Sequence, residues 1–228
     1  MNILDVECED SKLLTTAFTH QSFVRENGIS PLYSYERLEF LGDAVLKLLM
    51  SKLLYNKYPD YMEGKLTKIR SILVSDSTLA VIGEKIGIDK RLRLGTSEEN
   101  SGEKAFETYI ACATEAVLGA YYLDGKLDKI EEFLISELLP KSDEIDKHYE
   151  KYNAKTVLQE YFQKRLKLIP QYSTVEVKGP MHEPEFTVQV SIKNKVLASA
   201  SGKSKKEAQQ NCAYLACKKL GLKDNDTV

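Results

Sequence analysis

The chain has 228 residues, 43% of them hydrophobic, with 32 Lys+Arg set against 34 Asp+Glu. That composition suits a globular protein of one large or two ordinary domains with a buried core. It argues against two classes: no uncharged apolar stretch is long enough to span a bilayer, and the acidic opening MNILDVECED lacks the basic start and apolar run of a secretory leader.

Up to about residue 146 the apolar spacing predicts helices throughout. In chain order they are SKLLTTAFTHQSF (11–23), YERLEFLGDAVLKLLMSKLLYNKY (35–58), EGKLTKIRSILV (63–74), DSTLAVIGEKIG (76–87) and ETYIACATEAVLGAYYLDG (107–125). Asp76 and Ser77 are placed to cap the fourth; Gly87 and Gly125 are placed to stop the fourth and fifth. KSDEIDKHYEKYN (141–153) is polar and aperiodic and reads as a linker. Beyond it, AKTVLQEYFQKRL predicts a helix. QYSTVEVKGP and EFTVQVSIKNKVLASASG predict strands, with β-branched residues alternating with polar ones. SKKEAQQNCAYLACKKLG predicts a closing helix, and KDNDTV a loose tail. The expected fold class is a mostly α N-terminal domain, residues 1–146, and a small two-layer α+β domain of order α-β-β-β-α, residues 154–222. Residues 147–153 are the narrower linker and 223–228 the tail.

The four cysteines, Cys8, Cys112, Cys212 and Cys217, form no CxxC pair, which argues against a zinc site or redox motif. Four buried-looking thiols without a leader fit a reducing compartment. The expectation is a soluble cytoplasmic protein with no membrane partner.

Split by region, the charge is informative. Residues 154–222 hold 12 Lys+Arg and 5 Asp+Glu, a net of +7, and the rest of the chain is at −9. A basic module tied to an acidic one suggests a polyanion binder attached to a part that uses carboxylates.

In LEFLGDAVLKLLM, Glu39 and Asp43 are four apart and share one helix face with Leu46 and Met50. Leu38, Leu41, Val45, Leu48 and Leu49 fill most of the remaining surface, so the helix reads as buried nearly all round. For an ordinary amphipathic helix, two such acids mark an exposed seam. Here Glu115 weakens that explanation, because it is the lone charge in YIACATEAVLGAYYL and sits in the same kind of setting. Acids from two apolar helices, packed together, would make an oxygen-rich pocket suited to Mg²⁺ or Mn²⁺. Glu63, at a helix start, is a further candidate; alone it signifies only a favourable charge near an N-terminus.

The same residues carry a resemblance. YERLEFLGDAVL closely resembles the signature of the ribonuclease III family, bacterial-type endonucleases that cut double-stranded RNA. AFTHQSF, EGKLTKIRSILV and EAVLGAYYLDG match its other landmarks in order. The resemblance covers about residues 5–222, and the second domain looks like the family's double-stranded RNA-binding domain. It implies an endoribonuclease that hydrolyses phosphodiesters in double-stranded RNA, leaving 5′-phosphate and 3′-hydroxyl ends, in RNA processing and maturation. It implies metal at Glu39, Glu63 and Glu115, with Asp43 and Glu115 as the catalytic residues. The implied cofactor is Mg²⁺, with Mn²⁺ as a substitute. His20, between apolar and hydroxyl residues, is read as structural. Two positions depart from the family pattern. Cys112 stands where the family usually has a metal-binding Asp, and the family's double glycine becomes Gly102 followed by Glu103. A thiol is a poor ligand for a hard cation.

In the basic module, Lys203, Lys205 and Lys206 lie at and just before a helix start, which favours phosphates. By resemblance they span the major groove of an RNA duplex. Thr156, Gln159, Glu160 and Gln163 share one helix face and match the family's minor-groove contacts. The loop GPMHEP, with His182 at its tip, matches the segment that enters the next minor groove. A lysine cluster alone is more often a solvated helix start, and GPMHEP alone an ordinary turn. Family members are homodimers, and Phe40 matches a dimer-contact position that sequence alone would assign to the core. The competing reading is a double-stranded RNA-binding dimer whose catalysis is weakened or lost because Cys112 replaces the Asp.

Overall fold

In a computed structural model describing residues 2–98, 102–180 and 183–222, the chain divides between Glu144 and Ile145 into two units. Up to the division the order is α1 (Ser11–Ala17), α2 (Gln21–Glu26), α3 (Glu36–Lys57), α4 (Glu63–Leu73), α5 (Asp76–Ile86), α6 (Glu103–Leu123) and α7 (Leu127–Glu137). Next come α8 (Lys141–Lys147), which contains the division, and α9 (Tyr149–Leu166). β1 (Gln171–Lys178), β2 (Glu185–Ile192), β3 (Lys195–Gly202) and α10 (Lys205–Leu220) complete the chain. Among the described residues no helix is long and apolar enough to cross a membrane.

The first unit is organised by α3 and α6, whose backbones touch. A Cβ added to Gly42 would lie 1.8 Å from the Glu115 carbonyl oxygen, and one added to Gly119 would lie 2.3 Å from the Leu38 carbonyl oxygen. Only hydrogen fits at either place, so this crossing is fixed by two glycines. Leu46, Met50, Ile110, Val117 and Tyr121 are fully buried around it. α5 packs on another side of α6 by the same device, Gly83 against Ile110 and Thr114.

Several expectations need correction. The first predicted helix is two: the chain breaks at residues 18–20, where Thr19 bridges to Arg93 and the His20 N–H donates to the Arg93 carbonyl at 3.0 Å. Helix α3 is not buried all round, since Phe40, Leu48 and Tyr55 are 82%, 68% and 73% exposed. The cap of α5 is Ser75, with Asp76 the first helical residue. Only Cys212 and Cys217 are buried; Cys8 and Cys112 are half-buried, and all four are free. Most of the stretch read as a linker is helical. Tyr149 is buried and anchors it, and α9 extends back from the packed residues Ala154, Val157, Leu158 and Phe162. Extending an existing helix fixes one residue per added hydrogen bond, so a polar stretch can follow its anchored neighbour.

In the second unit the strands form an antiparallel sheet in the order β1-β2-β3. The β2–β3 turn is Lys193–Asn194, both with positive φ (45° and 64°), as a two-residue hairpin of right-handed twist requires. Helices α9 and α10 share one core with the sheet, in which Leu158, Phe162, Val190, Ala198, Cys212 and Ala216 are buried together.

Candidate active site

The Gly42–Gly119 contact sets Glu39 and Asp43 of α3 against Glu115 and Cys112 of α6. Burial first, then the charges of Asp43 and Glu39, push the Glu115 carboxyl up to about 8, against the opposing pull of Lys47. Burial also raises Glu39. A hydrogen bond from the Cys112 thiol works against that shift, while Glu36, Asp43 and Asp76 add to it. Burial, followed by Glu39 and Glu115, pushes the Cys112 thiol up to about 12, so position 112 offers a neutral S–H. Asp43 accepts from the Lys47 ammonium at 2.7 Å, an exposed pair one helical turn apart.

One wall of this cluster is aromatic. Tyr35 is buried, with Cys112 and Glu39 among its electrostatic neighbours. His20 packs on Tyr35 and Tyr109 at centroid distances of 5.5 and 4.6 Å. Its Nδ1 accepts the Ser22 N–H at 3.1 Å and so caps α2, which is structural work.

The donor set fits a hard divalent cation. It consists of carboxylate oxygens on two helices, held close enough that neighbouring charges help to raise Glu39 and Glu115, and short of positive charge to balance them. The donors stand apart: among the described residues no three His, Cys, Asp or Glu side chains converge as a finished metal cage. A cation that keeps part of its water tolerates such spacing.

Glu63 does not join this cluster within the chain. It begins α4, accepts from the Thr67 hydroxyl at 2.7 Å, and lines a cleft with Ser51, Tyr55 and Arg70. Ser51 and Tyr55 lie roughly 12–18 Å further along α3 than Asp43, at 1.5 Å per residue. The reason is tertiary: α4 packs on the second half of α3, where Arg70 donates to Ser51 at 2.5 Å. Conversely, the charge of Asp76 adds to the upward shifts of Glu39, Cys112 and Glu115, although its sequence setting signals only a helix start. Phe40 stands beside Leu32, Tyr33, Leu41 and Leu123 along an apolar groove of about 750 Å³.

On the second unit, Thr156, Gln159, Glu160 and Gln163 all lie on the exposed face of α9, opposite Val157, Leu158 and Phe162. Lys203, Lys205 and Lys206 are exposed around Ser204, the N-cap of α10. The Ser204 hydroxyl accepts the Glu207 N–H at 3.1 Å, and the Glu207 carboxylate accepts the Lys203 N–H at 2.8 Å. This capping arrangement places a carboxylate among the lysines, which net charge alone does not reveal. His182 and residues 223–228 lie outside the described residues.

Comparison with known proteins gives a consistent result. Residues 10–142 match the family described as Ribonuclease-III-like, and residues 154–220 match the Double-stranded RNA binding motif. Ribonuclease 3 of Natranaerobius thermophilus is 41% identical over 211 residues, covering 92% of this chain and 91% of that protein. Ribonuclease 3 of Listeria welshimeri is 39% identical, covering 93% and 92%. The solved nuclease domain of ribonuclease III from Campylobacter jejuni is 35% identical with a TM-score of 0.53, covering 60% of this chain and 94% of that one. None of these matches supports the reading in which catalysis is lost. Two matched segments and relatives aligned over nine-tenths of its length lead to one conclusion: the chain belongs to the ribonuclease III family, with a nuclease domain followed by a double-stranded RNA-binding domain.

Proposed function

We propose that the protein is an endoribonuclease that hydrolyses double-stranded RNA with Mg²⁺, or Mn²⁺ in its place, and leaves 5′-phosphate and 3′-hydroxyl ends. The observation that carries this reading is the placement of Glu39 and Asp43 against Glu115 across a glycine-only helix crossing. Bound there, the cation supplies charge neutralisation at the scissile phosphate and activation of water. Glu39 and Glu115 would hold it. Asp43, on the rim beside Lys47, orients the water side of the site. Glu115 would have to give up its proton to hold the cation, since its carboxyl is pushed up to about 8. Glu63 is proposed as a further metal-binding acid, one that its cleft beside Ser51 and Tyr55 holds apart from this cluster within a single chain.

RNA reaches the site through the second domain. Thr156, Gln159, Glu160 and Gln163 are proposed to meet the minor groove, where A-form RNA shows its 2′-hydroxyls. Lys203, Lys205 and Lys206 are proposed to meet phosphates across the major groove. His182 keeps its proposed place in the next minor groove on the sequence alone. Two copies are proposed to pair through Phe40 and the apolar groove beside it. The proposed compartment is the cytoplasm, which keeps the free cysteines reduced.

The test is incubation of a long RNA duplex with the full-length protein. Short duplexes with the stated ends in Mg²⁺, and none in EDTA, are expected. A duplex left intact by folded protein in Mg²⁺ contradicts the proposal.

A further inference from the structure

Helix α3 carries Glu39 in its first turn, yet no local device fixes where that turn starts: the N-cap is Tyr35, which makes no side-chain capping bond. The turn is held from outside instead. The Tyr35 N–H donates to the Thr19 carbonyl at 2.8 Å, and the Tyr35 carbonyl accepts from the Glu39 N–H at 2.8 Å. The residue after Thr19 is His20, 7% exposed. Its ring packs on Tyr35 at 5.5 Å and on Tyr109 of α6 at 4.6 Å. Tyr109 lies one turn before Cys112. One buried ring therefore touches both the start of α3 and the helix that carries Cys112 and Glu115.

That ring is locked in place. Its Nδ1 accepts the Ser22 N–H at 3.1 Å and lies 2.7 Å from the Ser22 hydroxyl, which itself accepts the Gly95 N–H at 2.8 Å. Nδ1 is thus an acceptor, and the ring carries its proton on Nε2. The His20 N–H is tied to the Arg93 carbonyl at 3.0 Å. Capping α2 asks only for an acceptor at position 20, which a smaller side chain such as Asn supplies; it does not ask for a ring between two tyrosines. We propose that His20 is a positioning residue for the nuclease site, its ring setting the first turn of α3, and with it Glu39, against α6. The proposal rests on the metal-site reading of Glu39, Asp43 and Glu115.

His20→Asn separates positioning from capping, because it keeps an acceptor for the Ser22 N–H and removes the ring. Two measurements on the full-length, RNA-free protein, well below its melting temperature, read the outcome. In the metal-free variant the Glu39 amide is expected to exchange its hydrogen faster than in wild type, while the amides of α5 keep their protection, the mark of a local opening. Mn²⁺ binding, read by calorimetry, is expected to weaken about tenfold, the lower range for losing a group that orients a metal ligand. Tyr109→Leu, which removes the facing ring from α6, is expected to weaken Mn²⁺ binding in the same direction and decides the matter if His20→Asn does not fold. Wild-type Mn²⁺ affinity in the folded variant, with binding lost in Glu115→Gln, overturns the role of His20 alone. Faster exchange throughout the first unit makes His20 a residue of general stability and overturns it too. Unchanged affinity in Glu115→Gln removes the metal-site reading itself, and the positioning role with it.

Discussion

Glu115 links the protein's stability to pH. In the unfolded chain a glutamate titrates near 4.3, whereas in the folded, metal-free protein this one titrates at about 8. Between those values the folded state keeps a proton that the unfolded state has lost, so stability falls as pH rises. The contribution is fully present below about pH 4 and is exhausted above about pH 8. Glu39, also raised, acts in the same direction. The metal-free protein is therefore expected to melt at progressively lower temperature from about pH 5 to about pH 8, and Glu115→Gln to flatten that slope. Identical slopes in the two proteins would mean that Glu115 does not titrate in this window. At this scale much of the cluster is legible in the sequence. Glu39 and Asp43 declare themselves by four-residue spacing on an apolar helix, and Glu115 by isolation. The electrostatic effect of Asp76 on these groups is hidden because an acid opening a helix has a sufficient local explanation. The distance of Glu63 from the cluster within one chain is not legible, because nothing local says which half of α3 its helix packs on.

The elements bring these residues together through close helix contacts. Replacing Gly42 with Ala puts a methyl group into the Glu115 carbonyl, 1.8 Å away where 3.4 Å is ordinary contact. The helices must separate, at a cost of about 3 kcal/mol, the upper end of overpacking penalties. Melting should show that loss, and cleavage should fall further than stability because Glu39 and Asp43 move away from Glu115. A variant with normal stability and normal cleavage would contradict the crossing. Sequence periodicity predicts both α3 and α6, yet it does not reveal their contact, because glycine contributes nothing to an apolar pattern. It also misses the helical part of residues 141–153, since a polar stretch held by an anchored neighbour, as before Ala154, or by isolated contacts, as at Ser142 and Ile145, has no periodicity of its own. The same limit explains Phe40: on a helix apolar nearly all round, the exposed positions look like the buried ones.

At the scale of the whole molecule, a binding module and a nuclease module divide the work, and the proposed assembly adds a second copy. Replacing Lys203, Lys205 and Lys206 together with Ala should weaken binding to RNA duplexes regardless of sequence. It should also make binding less sensitive to salt, by about one unit of log–log slope for each phosphate that a lysine no longer neutralises. An unchanged slope would place those lysines off the RNA. Phe40→Asp is expected to weaken self-association by about 2 kcal/mol or more, the scale of a buried aromatic anchor, as read by sedimentation. Full dimerisation in that variant would put the interface elsewhere.

The central claim is that carboxylates gathered by α3 and α6 cut RNA that the second domain holds. It is tested most directly by measuring binding and cleavage of one long RNA duplex in Mg²⁺, for wild type and Glu115→Gln side by side. The substitution keeps the shape of the side chain and removes its ability to ionise. The account predicts that the variant binds the duplex as tightly as wild type and leaves it uncut. A variant that cuts at a rate near wild type would contradict it.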